Sequence, residues 1–122
     1  MGTITINYLG GKIMTLQHDA LVPLKRVEIV FDEEGMGELE NILKTIGARG
    51  YTYIKHAGGY GSRGERSPDT FGLREENVVI ILACTVAQTE KLVTMLSPKM
   101  EELGGMCLIS DCYWVKGAAE SY

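Results

Sequence analysis

Beyond residue 24, apolar positions gather into blocks, and the spacing inside each block names an element. Val27, Ile29, Val30 and Phe31 make a short β-branched and aromatic run, which predicts a strand. Asp32 to Gly35 is acidic and turn-like. Met36, Leu39, Ile42, Leu43 and Ile46 then recur at helical spacing, and Gly47 stands where a glycine ends a helix. Tyr51 to His56 reads as a second strand. Gly58 to Asn77 has no apolar periodicity and is rich in Gly, Arg and Glu, so it predicts a long loop of the functional or disordered kind. Val78 to Cys84 is an unbroken apolar run; without alternation, it predicts a central strand covered on both faces. Leu92, Val93, Leu96, Met100 and Leu103 mark a second helix. Pro98 inside that pattern predicts a kink, or a restart with Ser97 as cap and Pro98 in the first turn. Gly104 and Gly105 end the helix, and Met106 to Val115 reads as the last strand.

The order is strand, helix, strand, long loop, strand, helix, strand. This is the split βαβ, ferredoxin-like arrangement, an α+β fold with a four-stranded antiparallel sheet and two helices on one face. The other sheet face also carries Val, Ile and Tyr. An uncovered apolar face of that size predicts an oligomer. Residues 24–117 form the domain, with the loop at about 58–77. Residues 1–23 read as an N-terminal extension, in which Thr3 to Ile6 suits a strand and Gly10-Gly11 a turn; Met14 is an alternative natural start. Residues 118–122 form a small polar tail.

Composition narrows the function classes. A chain of 122 residues makes one domain. Its net charge of −4 argues against nucleic-acid binding, which needs a basic face. No apolar run reaches the roughly 20 residues of a membrane span, and no basic-then-apolar leader opens the chain. Cys84, Cys107 and Cys112 lack metal-ligand spacing, and Cys107 and Cys112 fall on opposite faces of one strand. Reduced thiols in a cytoplasmic protein are the expectation.

Residues 50–67 carry the most chemical information. A strand feeds directly into a segment holding Gly58, Gly59, Gly61 and Gly64, with Arg63 and Arg66 beside them. Without Cβ atoms, backbone N–H groups there can turn toward an anion and approach it closely. The arginines add charge and planar forks suited to phosphate or carboxylate. A solvated hairpin loop with ordinary surface arginines fits the same composition. No catalytic or metal constellation accompanies the segment. His18 and His56 are isolated, the acids at 32–34 suit a helix start, and Ser62 lacks a nucleophile-elbow context. Tyr60 to Gly64 fits neither Walker nor Rossmann spacing. Trp114 suits packing more than stacking.

These residues resemble the PII-like signalling proteins, ferredoxin-like homotrimers with a long T-loop between the second and third strands. The resemblance covers Lys25 to about Lys116. It is carried most specifically by Gly50-Tyr51-Thr52, by Gly58-Gly59-Tyr60-Gly61-Ser62-Arg63 and by Arg66-Ser67. The T-loop base is similar to that of the branch linked to bicarbonate uptake and carboxysomes. The resemblance implies a non-enzymatic, cytoplasmic sensor of adenine nucleotides, bound in clefts between neighbouring subunits, with bicarbonate as a further ligand. It places Gly58, Gly59, Tyr60, Gly61, Ser62 and Arg63 on the phosphate side and Arg66 as a second anion contact. Gly104 and Gly105 would close the cleft, and Val30 and Thr52 would form its walls. No metal or cofactor is implied. The implied partner is a bicarbonate transporter or a carboxysome-related protein, reached through the T-loop.

The chain also departs from that pattern. Residues 64–76 contain no tyrosine, which argues against control by modification of the loop tip. The loop before the last strand shrinks to Gly104-Gly105 and has no lysine, which favours ADP or AMP over ATP. Two other classes compete with the regulator. One is a slow nucleotide hydrolase using the same loop, for which the sequence offers no general base. The other is an assembly protein using only the oligomer face, which would have no use for the Gly-Ser-Arg loop.

Overall fold

The computed structural model describes residues 4–7, 13–61, 64–66 and 76–117. In chain order the elements are β1 (Ile4–Asn7), β2 (Ile13–Leu16), β3 (Leu21–Asp32), α1 (Met36–Thr45), β4 (Thr52–Ala57), β5 (Gly59–Gly61), β6 (Gly64–Arg66), β7 (Asn77–Cys84), α2 (Val86–Leu96), α3 (Met100–Leu103) and β8 (Met106–Val115). Four of the strands form one antiparallel sheet in the order β4-β7-β3-β8. This is the ferredoxin-like order expected of the sequence. β1 and β2 form a separate hairpin, with Ile4 opposite Leu16 and Asn7 opposite Ile13.

β3 organises the sheet because it is the strand with long ladders on both sides. It pairs with β7 from Lys25 to Asp32 and with β8 from Leu21 to Val30. The strand begins earlier than the Val27–Phe31 run indicates. Pro23 obscures that early start, since proline cannot donate to a ladder. It is tolerated here because it lies where β3 has only β8 as neighbour.

One face of the sheet is closed by helices. Val27, Ile29 and Phe31 of β3 and Val78, Ile80, Leu82 and Cys84 of β7 pack against Leu39, Ile42 and Leu43 of α1 and Leu92 and Leu96 of α2. Each such fully buried aliphatic or aromatic side chain contributes about 1.5–3 kcal/mol. The alternate residues of β7, Val79, Ile81 and Ala83, are only half-buried. This corrects the expectation that an unbroken apolar run is covered on both sides. Within one chain the far face stays open, and register places Ile54, Val79, Val30 and Met106 in one row across it. Arg26 and Glu28 share that face and form an ion pair of 2.5 Å.

Helix ends are set by local chemistry. Gly47, at φ +78°, closes α1: its N–H donates to Lys44 O at 3.1 Å, and Ala48 N–H donates to Leu43 O at 3.0 Å. Thr85 starts α2 with a reciprocal capping box to Gln88. The predicted restart at Pro98 is present as a short 3-10 turn, Ser97–Lys99, with proline in its first turn. The residue in the cap position is Leu96, and Ser97 instead closes α2.

Gly104 and Gly105 are obligatory for two different reasons. Gly104 closes α3 at φ +70°, in the left-handed region. A Cβ on Gly105 would lie 1.5 Å from Val30 O and 2.8 Å from Phe31 Cα, inside the backbone of β3. Gly105→Ala is therefore expected to destabilise the protein by about 3 kcal/mol or more. Gly47→Ala, which meets no neighbouring atom but keeps a positive φ, should cost about 1–2 kcal/mol. Chemical denaturation of the two variants beside the parent measures both.

Candidate functional site

Two regions of the sheet carry the residues that the sequence singles out. The first is the end where β3 finishes, β7 begins and β4 runs into the long loop. Here β4 does not pair regularly to its end. The register shifts between Ile54 and Ala57, and His56 sits at φ +62°, the only positive φ of a non-glycine residue among the described residues. A β-bulge of this kind bends the strand and redirects the chain beyond it. The His56 Nδ1 ring nitrogen meets Glu76 Oε2, which bridges the two strands where the loop leaves and returns. Glu33 N–H donates to Glu76 O at 2.9 Å, so the returning strand is also tied to the turn before α1.

Beyond the bulge, the glycine-rich segment is not wholly irregular. β5 and β6 pair as a ribbon, with Gly59 opposite Arg66, Tyr60 opposite Glu65 and Gly61 opposite Gly64. The long loop expected over Gly58 to Asn77 thus opens with a short paired ribbon. Tyr60 is 88% exposed. Gly105 lies at this same end, against Val30.

The second region is a cleft of about 520 Å³ toward the start of β4, on the helix-free face. Arg26, Arg49, Thr52, Ala83, Cys112 and Trp114 line it. Register puts Arg26 and Ala83 side by side, with Cys112 opposite Leu24 and Trp114 opposite Val22. Arg49 enters from the turn between α1 and β4.

The family model described as nitrogen regulatory protein P-II matches residues 24–118. The chain belongs to the P-II family. No curated protein matches the sequence. Solved structures do. A PII-like protein from Thiomonas intermedia K12, called CPII and bound to ADP, AMP and bicarbonate, is 25% identical with a TM-score of 0.72; the match covers 79% of this chain and 92% of that one. A putative PII-like signalling protein from Thermus thermophilus is 24% identical with a TM-score of 0.61, covering 78% and 91%. The GlnK–ATP complex of B. subtilis, at 16% identity and a TM-score of 0.53 over 74% and 82%, shares the fold.

Within this P-II fold the residues singled out from sequence divide. Gly105 lies against Val30 at the end of β3, and Gly58, Gly59, Tyr60 and Gly61 follow edge strand β4 at the same end of the sheet, with Gly104 and Gly105 preceding the opposite edge strand β8. Thr52 does not join them. It opens β4, about 17 Å of strand away from Ala57 at ~3.3 Å per residue, and lies in the cleft instead. Ser62 and Arg63 lie outside the described residues. The sequence reading missed Arg26 and Arg49. Neither sits in a motif, and only the sheet register and the turn after α1 bring them together with Thr52. Among the described residues, no helix is long and apolar enough to cross a membrane.

The cysteines divide by face as the spacing indicates. Cys107 packs at the helix-side core, and Cys112 lines the cleft. Burial pushes all three thiols above their ordinary range, and for Cys84 the neighbouring Cys107 adds to that effect. Less thiolate is therefore present at neutral pH, and native alkylation should be slow. It should accelerate as pH rises past the usual thiol range. Cys84, with no exposed surface, should react only after unfolding. Mass-spectrometric mapping of iodoacetamide labelling across pH checks both outcomes.

Proposed function

We propose that this P-II protein is a non-enzymatic regulator. As a homotrimer in the cytoplasm, it binds ADP or AMP in clefts between subunits and takes bicarbonate as a further ligand. Binding orders the 58–77 loop, which then engages or releases a partner in bicarbonate transport or the carboxysome. The observation that carries this reading is the P-II match over 24–118, together with a structural relative bound to ADP, AMP and bicarbonate at 25% identity. The molecule supports it in two physical respects. The sheet face without helices exposes Ile54, Met106 and Leu108, each about half accessible, which a neighbouring subunit would cover. The division of the singled-out residues between two regions is also what a cleft completed by two subunits would require.

Gly58, Gly59, Tyr60, Gly61, Ser62 and Arg63 are assigned to the phosphate side, with Arg66 as the farther contact. Gly104 and Gly105 close the cleft, and Val30 and Thr52 wall it. A lysine cannot be carried at Gly105 because its Cβ position is already occupied by the Val30 carbonyl. A γ-phosphate accordingly gains no cation from this loop.

Three measurements test the reading. Sedimentation should give a trimer; a monomer near the 13.4 kDa chain mass contradicts it. Calorimetry should show ADP or AMP binding at least as tightly as ATP. A preference for ATP beyond about tenfold rejects the assignment of the short loop. Arg63→Ala should weaken ADP binding by about 1.5–3 kcal/mol while leaving the trimer intact, and Arg63→Lys should recover part of the loss.

A further inference from the structure

The hairpin of β1 and β2 stands outside the domain that the P-II match defines, which begins at residue 24. Its strands pair with each other and with no strand of the main sheet. The register sets Ile4 opposite Leu16 and Ile6 opposite Met14, with Thr5 opposite Thr15 between them. Opposed residues share a face of a ladder, and successive rows alternate between faces. The Ile4–Leu16 and Ile6–Met14 rows therefore belong to one face of the ribbon, and the Thr5–Thr15 and Asn7–Ile13 rows to the other. Leu16, at the base of the apolar face, is 51% exposed. A two-stranded hairpin alone in water is marginally stable at best. A ribbon with this pattern needs a surface against its apolar face.

Where the hairpin is rooted indicates which surface that is. Residues 17–20 separate β2 from β3 and form a hydrogen-bonded turn: Leu21 N–H donates to His18 O at 3.1 Å, and Ala20 N–H donates to His18 Nδ1 at 3.0 Å. Lys116 N–H donates to Ala20 O at 2.9 Å, which pins the turn to the far end of β8. The ribbon thus leaves from the end of the β3–β8 pair, beyond the reach of β7. Register there places Val22 opposite Trp114, which lines the cleft on the helix-free face. In a trimer built on that face, neighbouring copies stand beside the root of the hairpin at a high effective concentration. We propose that the hairpin is an intersubunit arm: its face of Ile4, Ile6, Met14 and Leu16 packs on a second copy of this chain, at the rim of the helix-free sheet face. This rests on the reading of the protein as a trimer, and it adds a contact that the P-II domain itself does not contain.

The test uses the full, purified chain in two ways. First, Leu16 is replaced by the photo-crosslinker benzoylphenylalanine, and the irradiated protein is run on a denaturing gel and mapped by mass spectrometry. Cross-linked pairs of chains are expected. Second, sedimentation over a dilution series compares the parent with Ile6→Asp/Met14→Asp on the apolar face and with Thr5→Gln/Thr15→Gln on the other. The aspartates should raise the concentration at which the trimer dissociates by at least about tenfold, because a charge would have to be buried, while the glutamines should leave it within about twofold. If the parent is a trimer but Leu16 cross-links only within its own chain, the hairpin covers its own domain and the inference is overturned. Absence of any cross-link in the purified trimer leaves the apolar face to an unrelated partner and overturns it too. So does an equal shift in both double variants, since the pairing of the ribbon rather than its apolar face would then matter. In each of these cases the trimer stands. If the parent sediments as a monomer, the trimeric reading falls and the arm with it.

Discussion

The Gly105 backbone lies against the carbonyl of Val30 with no space for a side chain between them. Much else in the molecule depends on that contact. It seats the start of β8 beside the end of β3, so the ladder from Val30–Met106 to Leu21–Val115 can run in one register. It fixes where α3 must stop, which Gly104 accomplishes by entering the left-handed region. It also removes any side-chain cation from this connection. A structural requirement at one glycine therefore becomes a constraint on ligand chemistry: whatever anion the protein takes, its charge must be met from elsewhere.

The helix-free sheet face imposes a second constraint. Its row of Ile54, Val79, Val30 and Met106 favours coverage by another protein surface, while Arg26 and Glu28 on the same face oppose it. Burying one charge alone would cost several kcal/mol, far more than an aliphatic side chain recovers. Spaced two apart on one strand, the two side chains share a face and neutralise each other at 2.5 Å within the chain. A subunit docking there would meet a paired dipole rather than a lone ion. The smaller desolvation cost leaves the apolar row free to drive association.

The element order was legible in the sequence because each element follows a simple local rule. Helical spacing marked α1 and α2, glycines marked their ends, and β-branched runs marked β7 and the second half of β3. The parts that stayed hidden depended on non-local geometry. Pro23 conceals the first residues of β3, since their strand character comes from pairing with β8 rather than from propensity. The alternating burial of Val78 to Cys84 cannot be read from a uniformly apolar run, because it depends on what covers each face. His56 in a left-handed conformation has no sequence signal of its own; it arises from the bulge in β4. The glycine-rich segment stands out in the sequence because its residues are contiguous. Arg26, Arg49 and Trp114 are spread over almost the whole chain, and only the fold brings them together with Thr52.

That division between a contiguous half-site and a dispersed one has a thermodynamic consequence. The glycine-rich segment leaves one end of β4, and Arg26, Arg49 and Thr52 line a cleft toward its other end. If the two halves belong to neighbouring protomers, as proposed, a ligand binds the assembled state more tightly than the separated chain. Linkage then requires that the ligand stabilise the assembly by RT ln(1 + [L]/Kd) per site, about 2.7 kcal/mol at a hundredfold excess over Kd. The open sheet face supplies a basal association that needs no ligand. The chain leaves the sheet for the glycine-rich segment at His56 and returns at Glu76. Among the described residues the chain joins the loop through the β4 bulge and the His56–Glu76 contact, whereas the sheet is held by two long ladders through β3. Under the proposed reading, a bound nucleotide acts on that junction rather than on the ladders of the sheet.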